Sequence, residues 1–153
     1  MIRRTFDAGE VNELLNDPAV RPTIGGEGEL DAATLLADRR NVCLMADGGG
    51  ALFRWSGPGV YEGHSFFRVR GREAVALGKG LCHAMEGYAD LLWGLTPVHL
   101  RHVRWFNRKI GFRSLGVKAT PEGDCELVRA VAFFATEPLS SLVAILSHTG
   151  PLL

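Results

Sequence analysis

The chain has 153 residues, of which 46% are hydrophobic and 22% are charged, so the composition excludes a disordered chain and predicts one folded domain. Lys plus Arg and Asp plus Glu each number 17, and the resulting formal charge of zero excludes a whole-protein attraction to nucleic acid or anionic membrane. Three widely spaced cysteines match no zinc or disulfide pattern, so we expect free thiols and no metal site.

The first forty residues predict one strand and two helices. Residues 2–6 have strand character, and Asp7 with Glu10 three residues later forms the capping-box pattern that begins a helix. An apolar stripe follows and stops at residues 16–18 (NDP), and a second short helix is expected from Asp31. The basic residues near the N-terminus precede no apolar core, so we expect no signal peptide and a cytoplasmic protein.

Beyond residue 40, turn signals divide the chain into further strands and two longer helices. A strand–helix–strand unit around residues 72–85 predicts one parallel crossover within an otherwise mostly antiparallel, mixed sheet. The fold class is therefore α/β (α+β). The expected strands are 41–46, 51–55, 60–69, 91–95, 112–119 and 126–134, and the expected helices are 73–85 and 99–110.

Two segments with this order and spacing resemble the GNAT superfamily of small N-acetyltransferases. Residues 66–75 (FFRVRGREAV) lie where the superfamily has its strand-to-helix turn, written R/Q-x-x-G-x-G/A. Residues 104–112 (RWFNRKIGF) resemble its late helix, which ends in a Gly-Phe pair. The resemblance spans residues 41–134. It implies a GNAT-like sheet flanked by helices, acetyl-CoA as cofactor, and acetyl transfer to an amine of a small molecule or a protein.

A looser resemblance leaves a second function open. Residues 17–22, 61–64 and 105–108 are similar to small GNAT-related proteins of tailed phages. This similarity implies an alternative in which the chain is a catalytically inactive binding or structural subunit, located in a host cell or a virion.

The resemblance implies that a strand-to-helix turn holds the pyrophosphate of the cofactor. Free backbone N–H groups at a helix start suit that ligand. The glycines of residues 76–80 (ALGKG) match the superfamily pattern better, but a start there leaves too short a helix before the strand at 91–95. Glu73 stands where the superfamily prefers glycine, so an ordinary loop and helix start is the alternative. The predicted cofactor-binding residues are Phe67, Arg68, Val69, Arg70, Gly71, Arg72, Glu73, Ala74, Val75 and Asn107.

The catalytic candidates are Glu62, His64 and Asn107. Glu62 and His64 lie two apart on one strand and so share a face; Glu62 is the first choice for the base that takes the amine proton, and His64 the second. An exposed strand face without function is the alternative. Asn107 stands where the superfamily has a tyrosine that protonates the departing thiolate, and an amide can only hydrogen-bond the sulfur.

The C-terminus is apolar, and we divide the chain at residue 135. Residues 1–135 form the GNAT-like domain, and residues 136–153 form an extension that would reduce solubility if it were exposed. We therefore expect the extension to pack on the domain or on a neighbouring subunit, which would give a homodimer or a larger assembly.

Overall fold

A computed structural model describes residues 1–130 of the chain. The order of strands and helices follows the prediction, and the structure adds a short 3-10 helix at Arg21–Thr23. The strands are Arg3–Thr5 (β1), Val42–Ala46 (β2), Gly49–Gly57 (β3), Val60–Phe67 (β4), Leu91–Pro97 (β5), Phe112–Thr120 (β6) and Gly123–Ala130 (β7). The helices are Ala8–Leu15 (α1), Ala33–Ala37 (α2), Gly71–Ala84 (α3) and Arg101–Lys109 (α4).

The seven strands form one mixed sheet in the order β1-β2-β3-β4-β5-β7-β6. All neighbouring pairs are antiparallel except β4 and β5, which are parallel. Because α3 connects β4 to β5, it forms the crossover that the sequence predicts. The predicted fold class is therefore confirmed.

Helix α1 begins as predicted, but one detail of the capping prediction is wrong. The Asp7 carboxylate accepts hydrogen bonds from the N–H groups of Gly9 at 2.9 Å and Glu10 at 3.3 Å. The Glu10 side chain does not return to the N–H of Asp7; it accepts a hydrogen bond from Thr5 Oγ1 at 2.9 Å and pairs with Arg3. The nearby strand β1 offers Glu10 these partners, and they replace the reciprocal capping bond.

The helices cover both faces of the sheet. Helices α1 and α2 pack on one face, where Leu52 and Phe66 are buried, and α3 packs on the other, where Phe53 and Phe67 are buried. Successive strand residues point to opposite faces, so each apolar run in β3 and β4 contributes to both layers of the core.

Helices α3 and α4 approach closely at a glycine. A Cβ atom at Gly78 would lie 2.7 Å from Cζ of Phe106 and 3.0 Å from Cγ2 of Ile110. The ring of Phe106 also packs edge-on against Phe67, with 5.6 Å between the ring centroids. The glycine that resembles part of a phosphate turn in the sequence is therefore a helix-packing position.

The three cysteines are free and buried. Burial raises the pKa of Cys43, next to Glu10, to about 12, and it raises the pKa of Cys82 to about 12. Within residues 1–130, no helix is long and apolar enough to cross a membrane. The predicted extension, residues 136–153, lies outside the described residues and stays a prediction.

Candidate functional site

The two parallel strands separate soon after they meet. Strands β4 and β5 pair at only three positions, the last of which joins Glu62 to Trp93. Strand β4 then continues to Phe67 and β5 to Pro97 without further pairs between them. Backbone groups just beyond the last pair, at Gly63 and Gly94, therefore border a gap in the middle of the sheet.

A cleft of about 480 Å³ occupies this gap. Residues of β4 and β5 line its centre. Gly78 and Leu81 of α3, with Asn107 of α4, line it on one side of the sheet. Residues 23–26, at the end of the 3-10 helix and in the loop after it, line it on the other side. The cleft therefore has lining residues on the α3–α4 side of the sheet and on the α1 side, and it lies between the separated ends of β4 and β5.

Helix α3 begins at the end of β4 and leaves donors free for an anion. Its first residue, Gly71, has a φ of +59°, which suits glycine, and a Cβ atom there would meet open space. Arg70 precedes the helix, and its side chain does not cap the first N–H groups. Unpaired N–H groups at a helix start attract phosphates, and the start at Gly71 agrees with the predicted turn rather than with one at residues 76–80.

The side chains of the predicted turn divide into three groups. Phe67 and Ala74 are buried in the core, so only their backbone groups could contact a ligand. Arg68 forms an ion pair with Asp17 at 2.6 Å, and Arg70 donates hydrogen bonds to the carbonyl oxygens of Ala19, Phe67 and Val69. The third group is Arg72 and Glu73, which are exposed, as are Arg68 and Arg70. Because Arg70 donates to carbonyl oxygens of the fold, Arg72 is the arginine of the turn that is left to contact an anion.

Glu62 is almost fully buried, with 1% exposure, and it is not part of the cleft lining. Its Oε2 atom lies 2.5 Å from a guanidinium nitrogen of Arg54, which is its partner across the β3–β4 pair. Burial alone would raise the pKa of Glu62, but His64 and Arg54 more than offset this effect, and the pKa lies below its usual value. The alternative of an exposed strand face is therefore wrong for Glu62, because its carboxylate is buried beside Arg54 and His64.

His64 lies two residues further along β4 and lines the cleft. Its Nε2 atom is 3.5 Å from Oε2 of Glu62, which is too long for a strong hydrogen bond, and it makes no other one within residues 1–130. Its position beside a carboxylate allows Nε2 to carry the proton and leaves Nδ1 as the acceptor nitrogen. Glu62 and His64 share a face, as the strand periodicity predicts, but only His64 is in contact with the cleft.

Asn107 lies on α4 and lines the cleft from the opposite side. Its Nδ2 atom donates a hydrogen bond to Oγ1 of Thr96 on β5 at 2.9 Å. This bond uses one of the two amide hydrogens and holds the side chain in place. The second amide hydrogen remains available as a donor. Neither the Asn107 amide nor the Thr96 hydroxyl can act as an acid near neutral pH.

The sequence prediction missed three contributors to this region. Arg54 is identified only by its position opposite Glu62 in the sheet, and Thr96 only by its bond to Asn107. Arg21 donates hydrogen bonds to the carbonyl oxygens of Ile24 at 2.8 Å and Gly28 at 2.8 Å, so it shapes the loop at the cleft. The glycines of that loop were the available signal for Arg21. A glycine-rich loop is flexible by itself, so a side chain outside the loop is needed to hold it in one conformation.

Outside the cleft, the basic face of α4 is partly used within the fold. Arg104 pairs with Glu126 of β7 at 2.9 Å, and this contact lowers the pKa of Glu126. Among residues 1–130, no group of three His, Cys, Asp or Glu side chains is arranged to hold a metal ion.

Solved structures with the same fold share little sequence with this chain. No known protein family and no curated protein matches the sequence. AAC(6')-Ib in complex with paromomycin and acetyl-CoA has a TM-score of 0.66 at 15% identity, over 86% of this chain and 92% of that one. A variant of the spermidine N-acetyltransferase SpeG from Vibrio cholerae has a TM-score of 0.62 at 10% identity, over 86% and 94%.

A third solved structure carries the name of the family. The acetyltransferase of the GNAT family from Bacillus anthracis has a TM-score of 0.57 at 19% identity, over 85% of this chain and 93% of that one. At identities this low, the likeness establishes the fold and not the reaction. The chain has the GNAT fold, as its sequence predicts.

Proposed function

We propose that the chain is an N-acetyltransferase that moves an acetyl group from acetyl-CoA to an amine. The observation that carries this proposal is the cleft between the separated ends of β4 and β5, which is lined by residues from both faces of the sheet. Several structural neighbours have the same fold and contain acetyl-CoA or coenzyme A. Fold alone does not determine function, so the residues at the cleft must account for the reaction.

The residues present fit the phosphates and the arm of the cofactor. The free N–H groups at the start of α3 suit the pyrophosphate, and Arg72 adds a positive charge beside them. The side of the cleft between α3 and α4 is lined by apolar groups of Leu81 and Phe106 and by the Asn107 amide, which suits an uncharged chain ending in a thioester. Glu73 is exposed and can point to solvent.

His64 is the proposed base. The amine nitrogen forms a bond to the thioester carbonyl carbon as the carbon–sulfur bond breaks, and the products are an amide and the thiol of coenzyme A. His64 lines the cleft and can take the proton that the nitrogen loses. Glu62 is separated from the cleft and held as a carboxylate by Arg54, so we assign it a positioning role: it keeps the proton of His64 on Nε2.

Asn107 is proposed to donate a hydrogen bond to the departing sulfur. Its bond to Thr96 fixes the amide and leaves one hydrogen free. Because an amide is not an acid, the thiolate takes its proton from water or from the protonated His64. This arrangement replaces the tyrosine that the family resemblance implies.

Replacing His64 with glutamine tests the assignment. We expect His64→Gln to lower kcat by about 10²-fold or more, with acetyl-CoA affinity unchanged, since a positioned base contributes on this order. The rate is measured as release of the coenzyme A thiol, and affinity by calorimetric titration. His83→Gln is the matched control, because His83 is an exposed α3 residue outside the cleft. A His64→Gln variant with unchanged kcat would remove His64 as the base.

A second function is favoured by Glu73 and Asn107. Both residues depart from the superfamily pattern. Such departures are tolerated in a catalytically inactive GNAT-fold protein that serves as a binding or structural subunit, for example in a phage particle. Calorimetric titration of the full chain with acetyl-CoA separates the two proposals. Binding of acetyl-CoA, together with release of the coenzyme A thiol when amines are added, supports the acetyltransferase. If acetyl-CoA does not bind at millimolar concentration, the acetyltransferase proposal is overturned.

A further inference from the structure

The end of the cleft on the α1 side is mainly apolar. Leu15 of α1, Ile24 of the following loop and Phe66 of β4 line it, and Trp93 and Leu95 of β5 lie on its other wall. Trp93 is itself 2% exposed, and its ring N–H donates a hydrogen bond to Ser56 Oγ at 3.2 Å. The indole therefore presents apolar surface to the cleft and no free donor.

Carboxylates are scarce in the cleft as a whole. Among residues 1–130, Glu122, in the turn between β6 and β7, is the only acidic side chain in the lining. Glu62 lies behind the lining, and its charge is compensated by Arg54. Glu27 and Glu29 belong to the adjoining loop but are exposed and outside the cleft.

The 3-10 helix before this loop contributes a positive charge, that of Arg21, which lies outside the cleft lining. The Arg21 guanidinium donates hydrogen bonds to the carbonyl oxygens of Ile24, Gly26 and Gly28 at 2.8, 3.0 and 2.8 Å. The backbone of the loop is thus held in place by a guanidinium group, so the nearest fixed charge behind the loop is positive. A ligand with several ammonium groups would meet repulsion from Arg21 and would find one carboxylate to balance its charges.

We propose that the acceptor is a small primary amine with one positive charge and an apolar, preferably aromatic, body. This inference rests on the proposed acetyl transfer and names its substrate class. The apolar body packs against Ile24, Phe66 and Leu95, and Glu122 attracts the ammonium group as it enters. The amine must lose one proton before it attacks, and His64 takes a proton on the same face of β4. The volume of about 480 Å³ also holds the acyl donor, so the acceptor is small.

This acceptor differs from those of two structural neighbours. AAC(6')-Ib is in complex with paromomycin, and SpeG is a spermidine N-acetyltransferase. Both ligands carry several ammonium groups near neutral pH. A cleft of this kind selects against polyamines as well as for a monoamine. Each additional ammonium group would lose its bound water in the cleft and would find no carboxylate to replace that water.

The test compares 2-phenylethylamine with spermidine on the full chain. We expect kcat/KM for 2-phenylethylamine to exceed that for spermidine at least 10-fold at saturating acetyl-CoA, and calorimetry with coenzyme A present to give the same order of affinity. Equal or tighter binding of spermidine, or binding of neither amine, overturns the acceptor class. Failure of acetyl-CoA to bind overturns the proposed function instead, and the binding of amines can be measured without turnover.

Two variants test the charge argument. Glu122→Gln should weaken 2-phenylethylamine binding about 3- to 10-fold and leave the uncharged 2-phenylethanol unaffected, whereas Glu13→Gln, an exposed change on α1, should alter neither. Equal weakening of both ligands by Glu122→Gln would refute the role of charge. Ile24→Glu adds a carboxylate to the wall of the cleft. It should lower the ratio of kcat/KM for 2-phenylethylamine to kcat/KM for spermidine at least 5-fold, and an unchanged ratio would contradict the proposal.

Discussion

Helix α3 contains two interior glycines that face different neighbours, and they form a matched pair for mutation. A Cβ atom at Gly78 would lie 2.7 Å from Cζ of Phe106 on α4 and 3.0 Å from Cγ2 of Ile110, the residue just after α4. The Phe106 ring packs against Phe67, so it cannot move away without disturbing a second core residue. A Cβ atom at Gly80 would meet only Cδ1 of a flexible isoleucine side chain, at 3.0 Å.

The magnitude follows from two opposing effects. Alanine is favoured over glycine inside a helix by about 1 kcal/mol, and this gain applies to Gly78→Ala and Gly80→Ala alike. Overpacking in a core costs about 1–3 kcal/mol, and it applies to Gly78→Ala. We therefore expect Gly78→Ala to have a free energy of unfolding about 1–3 kcal/mol below that of Gly80→Ala, with a Tm lower by about 2–12 °C.

Urea unfolding followed by circular dichroism measures this difference, and thermal unfolding provides the second measurement. The comparison of two variants cancels helix propensity, so the wild-type chain is needed only to set the scale. Gly80→Ala should be neutral or slightly stabilising. If Gly78→Ala is as stable as Gly80→Ala, α3 and α4 do not approach each other at Gly78 as closely as we infer.

Two further predictions concern buried titratable groups. The pKa of Glu126 is lowered by its hydrogen bond to Arg104, so the stability that this carboxylate contributes is present above its usual pKa of about 4.5 and is lost as the pH falls through the folded-state pKa. The wild-type advantage over Glu126→Gln in urea unfolding should thus shrink below pH 4.5, and a constant difference from pH 3 to 7 would contradict it. The pKa of Cys43 and that of Cys82 are raised to about 12, so both thiols should resist a thiol reagent at pH 8 until urea unfolds the chain. Rapid modification of either thiol in the folded chain would refute their burial.

Much of the fold could be predicted because local chemistry determines where helices and strands begin. Asp7 caps α1 with its own carboxylate, and apolar spacing places Val11 and Leu14 inward. Turn-forming glycines separate the strands, and Gly71 begins α3 at a positive φ. These signals involve residues close together in the chain, so a reader of the sequence can recognise them.

The candidate site was predicted less completely, because its residues meet through sheet pairing. Strand periodicity correctly places Glu62 and His64 on one face, but it cannot distinguish a buried carboxylate from an exposed one. The β3–β4 pair places Arg54 opposite Glu62, and this contact separates a charge-compensated carboxylate from a histidine at the cleft. Arg54 and Glu62 are eight residues apart, and no local pattern links them.

The sequence by itself determined the GNAT order of elements and the helix start at Gly71, since both depend on local turn, cap and periodicity signals. Only the tertiary structure decided that the glycine at 78 serves the packing of α3 on α4, although its surroundings in the sequence resemble a phosphate turn. The tertiary structure also decided which member of the Glu62–His64 pair contacts the cleft. Both outcomes depend on neighbours contributed by distant segments, because burial and charge compensation are properties of the packed sheet and not of the strand alone.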